Sequence, residues 1–525
     1  MRNWLSALAI LVLSALPLLA QEHEHEHGSA ERLGTIDFPV TCSPAAQSTF
    51  TRGVALLHSF WYEEAEKTFR HAAEIDPKCG MAWWGVAMCN YHQVWPTPYT
   101  SAELQRGIDA AAKAASIGAK SARERAYINA VTVLYKDAKK AEVQQRARAY
   151  EAAMQRLSTQ FADDDEAAIF YALILINHGM AMPKDKTYAF QKQAAEILNR
   201  LLPRHPDHPG IAHYLIHSFD YPALAPLALN AANAYAKIAP SSPHALHMPS
   251  HIYVRLGMWK ETIESNLASA RAANDYAIAN HPGSTAFDAL HAYDYLTYAW
   301  LQRGEDEKVR GLVEQLRGVK KLDTENFAAF YALAAVPARY AIERRRWREA
   351  MALPLLDALP WSQYAYAESL THFARALGAA RLHETAKAME SIARLAQLHQ
   401  TLLDQKNPYW AEQVEVQQQE AQAWLARAEE RNGDARTLMQ SAADLEDSMD
   451  KSPVTPGAII PAREMLGELL LELNEPSAAL GAFETSLKSA PNRLNGLAGA
   501  ARAAQLEGEI GKAREYYAKI AQLLE

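Results

Sequence analysis

The chain has 525 residues, of which 49% are hydrophobic and 22% charged, and its formal net charge is −8. This composition excludes a largely disordered protein, and the excess of acidic residues argues against nucleic acid as the main partner. With 23 glycines and 25 prolines, the chain has few turn residues for a many-stranded barrel or sandwich. We therefore predict a large, mostly helical protein.

The first twenty residues have the pattern of a secretory signal peptide. Arg2 precedes an apolar stretch at positions 5–19, and the small residue Ala20 suits the position before a cleavage site. The apolar stretch is too short for a spanning helix, and no later segment offers about twenty uninterrupted apolar residues. We predict a signal peptide at 1–20 and an exported protein, periplasmic or extracellular, that does not insert into the membrane after cleavage.

The mature chain would then begin with the sequence QEHEHEHGSAERLG. His23, His25 and His27 alternate with glutamates, a composition that binds zinc, copper or nickel weakly while the segment stays flexible. We predict a flexible His/Glu-rich segment at 21–45. The alternative is a solvated tail with only incidental metal affinity.

The chain contains three cysteines, Cys42, Cys79 and Cys89. An odd number leaves at least one thiol without an intramolecular partner. Cys79 and Cys89 are expected on one helix, where a rise of about 1.5 Å per residue separates them by roughly 15 Å, too far for a disulfide. If a bridge forms, we expect it between Cys42 and Cys79.

Small and aromatic residues recur along the chain with a period near that of a known helical repeat. At positions 49–77, the small residues Gly53, Ala65 and Ala72 surround Phe69, and Pro77 ends the unit. Small residues allow two antiparallel helices to approach, and the aromatic ring fills the gap between them. This pattern resembles the tetratricopeptide repeat (TPR), whose units of about 34 residues stack into a solenoid.

The pattern returns near the C-terminus, where Gly467, Ala479, Phe483 and Pro491 match one unit, and weaker units lie between the two ends. The resemblance implies an all-α fold, a right-handed solenoid of stacked antiparallel helix pairs, with an irregular helical bundle as the alternative. A break in the repeat at 406–409 (KNPY) leads us to predict a TPR-like array at 46–405 and C-terminal repeats at 406–525.

The most informative residues for function are two histidine pairs in the middle of the chain. His213 and His217 are four residues apart, as are His247 and His251, and each member of the second pair lies one 34-residue repeat after its counterpart. Equal positions in successive repeats face the same way, here the concave groove. Imidazoles at i and i+4 share one helical face and can bind one metal ion. Pro249 should kink the second helix.

His244, His291 and Asp294 fall at neighbouring groove positions and are expected at the margin of this cluster. Nitrogen ligands suit zinc or copper, so these seven residues form a candidate metal site. The alternative is a polar groove in which the histidines are hydrogen-bonded to one another, to tyrosines and to water.

Three segments also resemble a group of exported bacterial TPR proteins: 56–65 (LLHSFWYEEA), 76–88 (DPKCGMAWWGVAM) and 247–253 (HMPSHIY). This resemblance implies the fold and the export but no established activity.

Three functions are compatible with the sequence. The first hypothesis is an exported scaffold that binds a protein, peptide or small ligand in its concave groove. The second is a periplasmic protein that binds zinc or copper through the histidine cluster, and the third is a metal-dependent enzyme in the same groove. The chain has no G-x-S-x-G elbow and no glycine-rich phosphate loop, so we assign no catalytic residue.

Overall fold

The structure is a computed structural model that describes residues 31–92, 94 and 100–525. The signal peptide predicted at 1–20 and the chelating residues His23, His25 and His27 lie outside the described residues, and these predictions stay predictions.

The described part of the chain folds into α-helices, and the nearest thing to a strand there is one isolated bridge between Thr285 and Leu322. The first helices are α1 (Pro44–His58), α2 (Tyr62–Ile75), α3 (Gly80–Cys89), α4 (Ser101–Ile117), α5 (Ala122–Tyr135), α6 (Val143–Gln160), α7 (Asp165–Met180), α8 (Ala189–Leu201), α9 (Pro209–Phe219), α10 (Leu229–Ile238), α11 (Pro243–His247) and α12 (Pro249–Leu256). The remainder are α13 (Trp259–Asn280), α14 (Phe287–Gln302), α15 (Asp306–Arg317), α16 (Phe327–Glu343), α17 (Trp347–Met351), α18 (Ala365–Arg381), α19 (Thr385–Asp404), α20 (Pro408–Ala428), α21 (Asn432–Asp447), α22 (Ala462–Glu472), α23 (Pro476–Ser489), α24 (Leu494–Leu506) and α25 (Ile510–Leu524). Short 3₁₀ turns lie at Ala225–Ala228 and Trp361–Gln363.

Helices that follow one another in the chain pack against one another in space, from α1 with α2 to α24 with α25. The fold is therefore the predicted all-α, TPR-like solenoid of helix pairs. None of the helices in the described ranges combines the length and the apolar composition needed to cross a bilayer.

The small-and-aromatic pattern packs as the sequence predicts. A Cβ atom on Gly53 would lie 2.7 Å from the ring of Phe69, and one on Gly85 would lie 2.4 Å from the same ring. Phe483 is enclosed in the same way near the C-terminus, because Cβ atoms on Gly467 and Gly499 would lie 2.8 and 2.2 Å from it. Each phenylalanine thus needs a glycine on the helix before it and on the helix after it.

The buried apolar residues form two cores that divide inside α12. One core runs from Leu33 to Tyr253, and the other from Val254 to Ala513. The division predicted at 405/406 does not separate cores, because Leu402 and Trp410 belong to the same one. The two cores instead meet beside the central histidines.

The packed chain begins earlier than the sequence suggests. Phe38 is buried, and its ring centroid lies 5.4 Å from that of Phe50 and 5.6 Å from that of Trp84. This shortens the flexible segment predicted at 21–45. The expected disulfide joins Cys42 to Cys79 with their Cα atoms 4.9 Å apart, which ties this segment to the start of α3. Cys89 is a buried free thiol.

A long connection between α21 and α22, at 448–461, reaches across the array, and we call it the crossing loop. The backbone N–H of Asp450 donates to the carbonyl of Pro183 (2.8 Å), and the amine of Lys451 lies 3.3 Å from an oxygen of Asp220. The guanidinium of Arg339 donates to the carbonyl of Ala458 at 2.5 Å. The crossing loop therefore packs against residues from three separate parts of the array.

Candidate metal centre

Local sequence fixes the helices that carry the central histidines. Helix α9 begins at Pro209, which needs no hydrogen bond at that position, and α11 begins after Ser242, whose hydroxyl accepts from the N–H of Ala245 at 3.4 Å. Helix α12 ends at Gly257, which has the left-handed φ of 66° that glycine tolerates best. Between α11 and α12 the helix is interrupted at Met248, directly before Pro249, as the sequence predicts.

The first histidine set consists of His213, His217 and His244. The Nε2 atom of His213 lies 3.0 Å from Nε2 of His217 and 3.2 Å from Nε2 of His244. Phe60 and Tyr235 enclose the set, since their rings lie 4.4 and 5.0 Å from the ring of His213. His244, expected at the margin, thus completes a set of three converging nitrogens.

The second histidine set consists of His247, His251 and His291. The Nε2 atoms of His247 and His251 are 3.0 Å apart, and the ring centroids of His247 and His291 are 4.2 Å apart. In each set, one nitrogen per residue lies within 4.8 Å of the other two, which is the geometry of a possible metal site. All six histidines are 0% to 6% exposed.

Hydrogen bonds determine which nitrogen carries the proton in two rings of the second set, those of His247 and His251. Nδ1 of His247 lies 2.6 Å from Oδ1 of Asn266, whose amide is oriented by donation from its Nδ2 to the carbonyl of Thr262 (2.7 Å). Nδ1 of His251 lies 3.0 Å from a carboxylate oxygen of Asp220. Both partners can only accept, so both protons lie on Nδ1. Two unprotonated Nε2 atoms therefore face each other at 3.0 Å.

In the first set, an outer acceptor fixes the proton of the central residue, His213. Nδ1 of His213 donates to the backbone carbonyl of His58 at 2.7 Å, which leaves its Nε2 unprotonated. Nδ1 of His217 is buried and has no hydrogen-bond partner. Fixing the proton of a histidine on one nitrogen by an outer acceptor is how proteins orient metal-binding imidazoles.

Burial keeps these imidazoles neutral, the state that metal ligation requires. Burial lowers the pKa of His213 to about 3 and lowers the pKa of His251. It also lowers, to well below the usual value, the pKa of His217, His244, His247 and His291, where neighbouring histidines add to the effect.

Asp220 connects the second set to two cations. One carboxylate oxygen accepts from Nε of Arg255 at 2.8 Å. The other oxygen, which accepts from His251, lies 3.3 Å from the amine of Lys451. Burial opposes ionisation, but Lys451 and Arg255 hold the pKa of Asp220 below its usual range. Burial, together with repulsion from Arg255, lowers the pKa of Lys451 to about 7.

Asp294, which the sequence places among the candidate ligands, lies outside both sets. Its carboxylate is 3.3 Å from a guanidinium nitrogen of Arg339. Arg339 is itself fully buried and also donates to carbonyls of the crossing loop. Asp294 therefore neutralises an internal arginine, and the six histidines remain as the candidate ligands.

A third cluster, absent from the sequence-based prediction, joins His58 and His208 to Glu166. We call it the carboxylate cluster. Nε2 of His58 and Nε2 of His208 each lie 2.9 Å from a different oxygen of Glu166. Nδ1 of His58 accepts from the hydroxyl of Tyr214 at 2.8 Å, and Nδ1 of His208 accepts from the N–H of Ile211 at 3.4 Å. Every nitrogen here has a complementary partner, so hydrogen bonds alone account for the cluster.

The decisive outer residues were also missing from the prediction. Asn266 lies on α13, and Lys451 lies on the crossing loop, so neither shares a repeat position with the histidines. An asparagine in the middle of a helix, where asparagine is disfavoured, was the only signal available in the sequence.

Comparison with known proteins supports one TPR unit and leaves the site unassigned. A family model described as tetratricopeptide repeat matches residues 46–79. No curated protein matches the chain. Similar solved structures include human IFIT1 dimer with PPP-AAAA, at 13% identity, covering 90% of this chain and 89% of that chain with a TM-score of 0.38. Yeast Tom70 is 12% identical and covers 91% of this chain and 92% of its own, with a TM-score of 0.32. We draw no functional conclusion from similarities this distant.

Proposed function

We propose that this is an exported metal-binding protein that holds zinc or copper at the two histidine sets. Export is supported by the signal-like residues 1–20. Metal binding is supported by six buried imidazoles whose ligating nitrogens converge in two groups of three.

The observation that carries the proposal is the pair of unprotonated nitrogens on His247 and His251. Two buried acceptors at 3.0 Å repel each other in the absence of a cation or a shared proton. A tetrahedral zinc ion with Zn–N distances of about 2.0–2.1 Å holds its nitrogens roughly 3.3–3.4 Å apart. The distances of 3.0–3.2 Å in the two sets therefore need to open only slightly to admit an ion.

The deep burial of the histidines also bears on the scaffold hypothesis. Helical repeats commonly present a groove to partners, and binding of a protein or peptide stays a prediction for this chain. The six histidines are not that surface, because side chains that are 0% to 6% exposed cannot contact a peptide without rearrangement. A metal ion is small enough for the site that the structure shows.

Elemental analysis tests the proposal directly. Protein lacking residues 1–27, and thus free of the HEHEHEH tail, is loaded with zinc or with copper at neutral pH and separated from free metal by gel filtration. We expect stoichiometric metal on the parent. The matched control is His208→Gln in the carboxylate cluster, which is equally buried and should retain the same metal content. Absence of bound metal in the parent would overturn the proposal.

A further inference from the structure

The distances between the two histidine sets raise the question of whether they bind ions independently. The ring centroids of His217 and His251, one from each set, are 6.0 Å apart, and those of His244 and His247 are 6.2 Å apart. Within the second set, the centroids of His251 and His291 are also 6.2 Å apart. At their nearest residues, the two sets are thus no farther apart than His251 and His291 are within the second set.

The charges around the sets do not balance two metal ions. All six candidate ligands are neutral imidazoles. Asp220 is already paired with Arg255 and Lys451, and Asp294 is paired with Arg339. Two divalent ions would therefore add a large positive charge to a buried region where the carboxylates of Asp220 and Asp294 are already paired, which is unfavourable without an accompanying anion.

We propose that the two sets form a single two-ion centre in which a small oxygen anion, of the hydroxide class and taken from water, bridges the two metal ions. The inference rests on the proposed metal binding and adds to it the relation between the ions and the class of the extra ligand. Ions held in two-metal sites are about 3.5–4 Å apart and share oxygen ligands. A water bound to such ions readily loses a proton, which passes to the bulk solvent as the site is loaded. The hydroxide supplies negative charge that the protein does not.

Tyr295 is the protein oxygen that could take the place of this bridge. Its hydroxyl lies 3.4 Å from both nitrogens of His251, a member of the second set. The Tyr295→Phe variant distinguishes a solvent bridge from the phenol.

Copper provides a spectroscopic test in the protein lacking residues 1–27. Two Cu(II) ions that share a single-oxygen bridge couple their unpaired electrons, and most of the electron paramagnetic resonance (EPR) signal is lost. We expect two copper ions per chain by elemental analysis, with an integrated EPR signal far below that amount. His247→Ala/His291→Ala, which dismantles the second set, should bind one copper with a full signal, as should His217→Ala/His244→Ala for the first set.

The outcomes separate the inference from the function on which it rests. If no copper is bound, the proposed function fails. If two ions bind and give the full signal of two isolated centres, or if only one binds to the parent, metal binding stands and the two-ion centre is wrong. Tyr295→Phe should keep the coupling. Loss of the coupling in this variant would mean that the phenol oxygen, and not solvent, bridges the ions. Circular dichroism confirms that each variant compared is folded.

Discussion

The carboxylate cluster and the second histidine set are built from similar residues but differ in where the protons lie. In the carboxylate cluster, two imidazole N–H groups point at the oxygens of Glu166. In the second set, Asn266 and Asp220 draw the protons to the outer nitrogens, and the inner nitrogens face each other without a proton. Both clusters satisfy a purely geometric criterion for a metal site. The hydrogen-bond directions, and not proximity, separate the two clusters: one is closed by its own hydrogen bonds, and the other leaves two acceptors facing each other.

The largest expected effect is complete loss of stoichiometric metal. His217→Gln together with His251→Gln removes one ligand from each set and leaves too few nitrogens in either set for tight binding. Elemental analysis of the variant lacking residues 1–27 should show no stoichiometric zinc or copper, while His208→Gln should bind as the parent does. Equal loss in both variants would mean that the two clusters do not differ as described.

The second effect concerns folding stability in the carboxylate cluster. Glu166→Leu leaves two buried imidazole N–H groups without acceptors, at a cost of about 1–3 kcal/mol for each in the free energy of unfolding. Urea denaturation followed by circular dichroism measures this change. The folded protein should bind as much metal as the parent does. A change of nearly zero in the free energy of unfolding would show that the carboxylate cluster does not stabilise the first core.

Metal should stabilise the protein only where at least one histidine set is intact. With free zinc at 100 times its dissociation constant, binding to the native state adds about 2.7 kcal/mol to the free energy of unfolding for one site. Thermal denaturation with and without zinc should show this shift in the parent and in His208→Gln. The His217→Gln/His251→Gln variant should show none, and a similar shift there would indicate binding elsewhere on the chain.

Acid should destabilise the metal-free protein through the histidine sets. His213 has a pKa lowered to about 3 in the folded protein, against about 6.5 in the unfolded chain. The contribution of neutral His213 to the free energy of unfolding is therefore fully present above pH 6.5. It is lost as the pH falls towards 3, because the unfolded state takes up the proton first. At pH 5 the loss is about 2 kcal/mol for this residue. Urea denaturation at pH 7.5 and at pH 5 measures this loss, and His213→Gln should lose about 2 kcal/mol less than the parent between the two pH values. An equal loss in both proteins would show that His213 does not cause the effect.

The fold and the proximity of the central histidines follow from sequence because both depend on the repeat. The same local pattern of glycine and phenylalanine occurs at both ends of the chain. Gly53 packs against Phe69, and Gly467 packs against Phe483 in the same way. The histidine pairs were predicted together because equal repeat positions face the same way. The assignment failed for Asp294, since its partner Arg339 lies on another helix and pairing across helices has no fixed spacing.

The features that give the site its chemistry were not predictable in this way. Lys451 reaches Asp220 across 231 residues from a loop without any repeat pattern, and the carboxylate cluster joins the C-terminal end of α1 to the start of α7 and the residue before α9. Such contacts depend on how the whole array curves. Repeat periodicity specifies which face a side chain occupies, but not the curvature.

The smallest expected change in stability, and the sharpest test of the comparison, is Asn266→Leu. Without the Asn266 acceptor, the proton of His247 can move from Nδ1 to Nε2 and donate to Nε2 of His251, 3.0 Å away. The new hydrogen bond offsets the lost one, so the metal-free protein should change by less than about 1 kcal/mol. Metal affinity should nevertheless fall by about 10–100-fold, because a protonated Nε2 cannot ligate and the outer partner no longer orients the ring.

Tyr214→Phe in the carboxylate cluster is the matched control, because it also removes a single hydrogen-bond partner of a buried histidine, His58. It leaves Nδ1 of His58 without a donor, so it should cost about 1–3 kcal/mol in stability and leave metal affinity unchanged. Competition with a chromophoric chelator measures the affinities, and urea denaturation measures the stabilities. If Asn266→Leu instead lowered stability and spared the affinity, the proton positions assigned to the second set would be wrong, and the facing nitrogens would already be joined by a hydrogen bond that needs no metal.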